Sequence, residues 1–178
     1  MNWIQEVEKR IRQKNQIYFA KDSLFLQDLK DLLEAQDHRV LVLWALDLAQ
    51  ESVQAWERKH PQETRPRLAC QAAQDWSRGK IKMREAQRKI LDCHAVAKEI
   101  DSLEEKAICH AIAQACSVVH TPGHAMGYPM YDLTSLVHHY GWDDCILPIK
   151  ERKEVYIDHL FYWNQEIDKI QRPWASFL

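Results

Sequence analysis

Asp47 and Glu51 stand four residues apart, a spacing that puts two carboxylates one turn apart on one face of a helix. Like charges so placed cost roughly a few tenths of a kcal/mol unless a cation sits between them. On the same wheel Asp47 lies near Val40, Leu43 and Trp44, in a segment too apolar to be open surface. The plainer alternative is a solvated stripe continued by Gln54 and Arg58. Arg65 and Arg67 supply cations. They flank Pro66 in the first turn of a helix, where the macrodipole disfavours positive charge by up to about 1 kcal/mol. A nearby carboxylate or bound anion would offset that cost. Antiparallel packing across the short turn at 60–64 would make Glu51 the easier partner for Arg67, as an ion pair bracing a helical hairpin.

The imidazoles form a second group. His94 falls on an apolar helical face, where a satisfied core residue is the commoner reading. His120 and His124 bracket Thr-Pro-Gly. Cys109, Cys116 and His120 share a face at spacings of seven and four, so Cys116, His120 and His124 offer nitrogen and sulfur ligands of the kind tetrahedral zinc takes. Their spacing matches no zinc motif, and no HExxH occurs. The small residues on that face, Ala113 among them, would equally let another helix approach. His138 and His139 point about 100° apart on a helix and make poor joint ligands.

These positions define a candidate binding cluster of Asp47, Glu51, Arg65, Arg67, Trp76, His94, His120 and His124. No nucleophile elbow, phosphate loop or dinucleotide fingerprint is present, so the residues identify no catalytic set and call for no cofactor.

The elements that must position this cluster read as helices. Trp3, Val7 and Ile11 mark one short piece, and Phe25, Leu29, Leu32 and Leu33 mark another. Asp37 is the expected N-cap of a stronger helix over 38–59, which His60-Pro61 stops. Its segment VLVLWAL is apolar all round and should be enclosed. A helix opening near Thr64 buries Ala69, Ala72, Ala73 and Trp76 and closes at Gly79. The next, over 81–99, lines one face with Met83, Ala86, Ile90, Cys93, His94 and Ala97. Ser102 and Glu105 have the spacing of a capping box. The helix they open buries Ile108, Ala111, Ile112, Ala115 and Val119 and ends before His120. HTPGHAMGYP, residues 120–129, is irregular. Pro129 then starts a helix to Tyr140, and Pro148 opens a last one with Tyr156, Leu160, Trp163, Ile167 and Ile170 inward. The tail should dock through Trp174 and Phe177.

The pattern predicts an all-α fold of seven or eight helices joined as antiparallel hairpins, without a sheet. It forms one domain over 1–178, with a central unit at 37–140 on which segments 1–36 and 142–178 pack. Only four glycines occur in 178 residues, too few for a hairpin-rich β fold. The longest apolar run, Val40 to Leu46, is seven residues against the roughly 20 that a bilayer span needs. The amino terminus is charged early and has no apolar signal core, and five cysteines are an odd number without a CxxC pair. A cytoplasmic setting follows as an expectation. A net charge of -2 and a pI near 6.5 leave no overall footprint for nucleic acid. A homo-oligomer is left open.

LWALDLAQ with Trp44, Asp47 and Glu51, then TRPR at 64–67, then QDWSRGK with Trp76 and Gly79, occur in an order that resembles the immunity-protein domain of bacterial polymorphic toxin systems. His94 in DCHAVAK and the HTPGHA segment at 120–125 extend the resemblance over about residues 37–135. Pro129 departs from the alanine-rich helix that the pattern has at that point. The resemblance implies an all-helical, non-enzymatic protein that binds and neutralises a cognate toxin protein. The competing reading is a small-molecule or metal-binding helical protein, enzymatic or not, with a site built from Asp47, Glu51, Arg65, Arg67, His94, His120 and His124. A scaffold without any pocket is the third.

Overall fold

The computed structural model describes residues 2–178. Eight α-helices follow in chain order: α1 (Trp3–Arg12), α2 (Gln27–Glu34), α3 (His38–Lys59), α4 (Arg65–Ser77), α5 (Met83–Glu99), α6 (Leu103–Ser117), α7 (Gly127–Tyr140) and α8 (Ile146–Glu166). Short 3-10 turns precede α2, precede α7 and follow α8. No strand occurs among the described residues, so the fold is an all-α single domain. No helix among them is long and apolar enough to cross a membrane.

Helix α6 is the hub, packing against α3, α4, α5 and α7. Its alanines explain why. Ala107, Ala111, Ala113 and Ala115 are buried, and side chains this small let several neighbours approach one helix. Helix α3 is the second hub, contacting α4, α6 and α8. In VLVLWAL every residue except Leu43 is buried, as an all-round apolar segment requires. Trp44 is fully buried, and its indole N–H donates to the Tyr156 carbonyl of α8 at 2.9 Å, joining elements 112 residues apart.

Local chemistry sets the ends. At the close of α4, Gly79 (φ +74°) and Lys80 donate to the carbonyls of Trp76 and Asp75, both at 2.9 Å, which is the Schellman arrangement. Ser102 caps α6 by accepting from Glu105 N–H at 3.2 Å. The Glu105 carboxylate turns to His60 at 2.9 Å, so the capping box is only half formed. Asp37 occupies the N-cap of α3, but its side chain makes no capping bond.

The prolines sit inside first turns rather than at first positions. Helix α7 begins at Gly127, two residues before Pro129, and α8 begins at Ile146, two before Pro148. The first turn of a helix has no intrahelical acceptor for its N–H groups, so proline loses nothing there. Met83 is exposed and Ile108 only half-buried, because α5 starts beyond the neighbours it would need and α6 is covered mainly by its alanine face. The tail docks with Trp174 packed against the core, as expected, and Ala175 adds an anchor. Ala175 is buried and its N–H donates to the Ser77 carbonyl at 2.9 Å, while Phe177 stays half-exposed beside Trp76.

Candidate functional site

The eight candidate positions fall into three places, each with its own partners, so no single site unites them. Asp47 and Glu51 belong to the seam of α3 with α7 and α8. Asp47 Oδ2 lies 2.9 Å from His159 Nδ1 and accepts from the Trp163 indole at 3.0 Å. Glu51 accepts from Arg152 Nη1 at 3.0 Å and lies 3.6 Å from His159 Nε2. Arg152 then donates through Nε to Asp132 at 2.7 Å and through Nη2 to the Tyr128 hydroxyl at 2.9 Å. Tyr156 O–H donates to the same Asp132 oxygen at 2.6 Å. Tyr128 gives its one proton to the Leu48 carbonyl, so Ser52, 2.7 Å away, is the donor to Tyr128.

This network explains its own electrostatics. Burial pulls the Arg152 guanidinium down, but Asp132 and the two tyrosines more than reverse it, so Arg152 is held more firmly protonated than usual. Burial pushes the Tyr128 and Tyr156 phenols up, and the Asp132 charge adds to it. The seam also constrains its chemistry. His159 faces a carboxylate from each ring nitrogen, and Ser52 is engaged with Tyr128. Neither nitrogen faces a nucleophile, so the imidazole is placed to hold helices rather than to activate a hydroxyl.

Arg65 and Arg67 lie at the far end of α3. Arg65 grips Glu63 and Glu99, tying the start of α4 to the end of α5. Those bonds hold both carboxyls below their usual range. Arg67 pairs with Glu57 at 3.1 Å, not with Glu51. The hairpin turns about residue 62, and positions equidistant from a turn face each other, which selects 57 opposite 67. Glu51 lies nearly two turns deeper and belongs to Arg152.

Trp76, His94, His120 and His124 stay together. With Gln87, Leu91 and neighbouring residues they line a groove of about 370 Å³ between α5, α6 and the turn that precedes α7. Trp76 stacks on His120 with ring centroids 5.8 Å apart. His94 Nδ1 lies 2.7 Å from His110 Nδ1, a contact in which one ring donates and the other accepts. Burial first, then the neighbouring His110 and His124, lowers His94 to about 4, and burial lowers His110 and His124 too. His124 is anchored by Gln114 at 2.8 Å. Cys116 does not join these rings. It is fully buried and points to Cys70 at 3.7 Å. Among the described residues no three His, Cys, Asp or Glu side chains are grouped to hold a metal.

Sequence reasoning placed Tyr156 inward, where it is fully buried, but not its bond to Asp132, and it missed Asp132, Arg152, Tyr128, His159 and His110. Two signals were available. Asp132 is the one carboxylate of α7, and Arg152 falls on the same stripe of α8 as Ile149, Tyr156 and Leu160.

The family model described as Imm-5 like putative immunity protein matches residues 31–159, from the second half of α2 through most of α8. The chain belongs to that family of immunity proteins. No curated protein and no solved structure matches it.

Proposed function

We propose that this protein binds a toxin protein made by the same bacterial cell and neutralises it by occupying it, without chemistry of its own. The observation that carries the reading is family membership over 31–159. The seam supports it. A network that ties α3, α7 and α8 together gives a rigid body whose outer faces are formed before a partner arrives, and preorganisation lowers the cost of association. The earlier alternative, one ligand site drawn from all seven Asp, Glu, Arg and His positions, loses its geometric basis because those side chains lie in three places.

The test is co-expression with the product of the adjacent toxin gene. Rescue of growth together with recovery of a stoichiometric complex is the expected result. Unabated toxicity with no complex would remove the reading.

A further inference from the structure

Between Arg78 and Leu91 the chain carries six Lys and Arg against one carboxylate, Glu85, although the whole chain has 24 Lys and Arg against 26 Asp and Glu. Positive charge is therefore gathered on one stretch of an otherwise acidic molecule. Elsewhere among the described residues Arg39 and Arg58 also lack an Asp or Glu partner, but most of the arginines, Arg65, Arg67 and Arg152 among them, close ion pairs. Here only Lys80 does so, with Asp75 at 3.5 Å. Arg78, Lys82, Arg84, Arg88 and Lys89 have no ion-pair partner among the described residues. Arg84 and Arg88 are exposed and one turn apart, on the side of α5 that carries Gln87 and Leu91 to the rim of the Trp76 groove.

The end of α4 and the tail beside it repeat the pattern. Arg78 Nε is buried and meets no hydrogen-bond acceptor. Arg172 lies close enough to feel its charge, and its own bonds go to Ser77 Oγ and the Pro173 carbonyl, not to a carboxylate. Like charges in one neighbourhood repel, and an orphaned N–H is costly. Apolar side chains stand among these charges. Leu91 is 65% exposed and Phe177 50%, the latter beside Trp76.

We propose that this face, formed by the end of α4, the first half of α5 and the tail, is the surface that holds the partner protein, and that the partner presents an acidic segment with an apolar side chain entering the Trp76 groove. The inference rests on the reading of the chain as a toxin-binding protein and adds the surface and the partner's chemistry. Charge complementarity selects the occupant: unpaired guanidiniums suit carboxylates, and the aromatic wall suits a buried anchor. A nucleic acid would meet the same cations, but the rest of the molecule is acidic and repels a long polyanion.

The 178-residue protein and three variants decide it, each first checked for unaltered thermal unfolding and titrated against the adjacent toxin gene's product. R84E/R88E reverses the patch. L91E charges the rim of the groove. K9E/R58E reverses as much charge at exposed positions elsewhere. The expected result is affinity lost about 100-fold or more in the first two, under about threefold in the control, and a salt dependence that flattens in R84E/R88E. Wild-type affinity in R84E/R88E and L91E overturns the surface and leaves the toxin-binding reading standing. A wild-type chain that binds no toxin overturns both. A fluorescent DNA duplex bound at 0.15 M salt (order of magnitude, physiological) and released by R84E/R88E overturns the acidic-protein partner.

Discussion

Arg152 and Asp132 meet at 2.7 Å, Nε to Oδ2, one from α8 and one from α7, at the point where both helices reach α3. Asp132 is buried, and the Tyr156 hydroxyl satisfies the same oxygen. The pair is thus the charged centre of a polar seam, with Glu51 and Tyr128 as further supports.

Breaking one side of the joint should cost more than removing it. R152M strands a buried carboxylate and should destabilise the protein by about 3–5 kcal/mol in urea unfolding. D132L/R152M removes both charges and should sit well above the sum of the two single changes. Strict additivity of the three variants would show that the residues do not act as a pair.

Stability should fall on the acid side through the groove histidines. His94 titrates near 4 in the folded chain against about 6.5 unfolded, so between those values only the unfolded state takes up the proton. The contribution is complete above about pH 6.5, declines as pH falls and is gone below about 4. His110 is displaced in the same direction. For a partly exposed ring the effect is about 1–2 kcal/mol after solvent screening. Urea midpoints at pH 7.5, 6, 5 and 4 check it. H94Q should flatten the profile, and parallel profiles for variant and wild type would put the acid loss elsewhere.

Gly127 is needed by its neighbour rather than by its backbone. A Cβ there would stand 2.8 Å from Gln114 Cβ, which no side-chain rotation can move away. G127A should force α7 from α6, costing about 1–3 kcal/mol, and should loosen the Gln114 bond to His124. A fully stable G127A with an unchanged His124 imidazole NMR shift would refute this account.

The helices were legible because each carries its own period and stop signals. Helix α3 is an example, from the apolar VLVLWAL run to the His60-Pro61 stop. Partners mirrored about a turn were within reach of the sequence. His94 and His110 are equidistant from Ser102, and Cys93 donates to the Cys109 carbonyl at 3.4 Å in nearly the same register, so His110 could have been read from His94 and the turn. Asp47 and His159 lie 112 positions apart on helices with no short connection, and no local rule brings them together. Position in sequence told which residues were unusual. The crossing of α3 and α8 decided what they touch.

That crossing also sets an order of events during synthesis. Helices α4, α5 and α6 are neighbours in sequence and in space, so they can associate as soon as about residue 117 has emerged. The Trp44 indole must wait for the Tyr156 carbonyl, and Asp47 for His159, until α8 has left the ribosome. In that interval the growing chain has an open flank along α3, and a chaperone that recognises exposed apolar helix would find a target there.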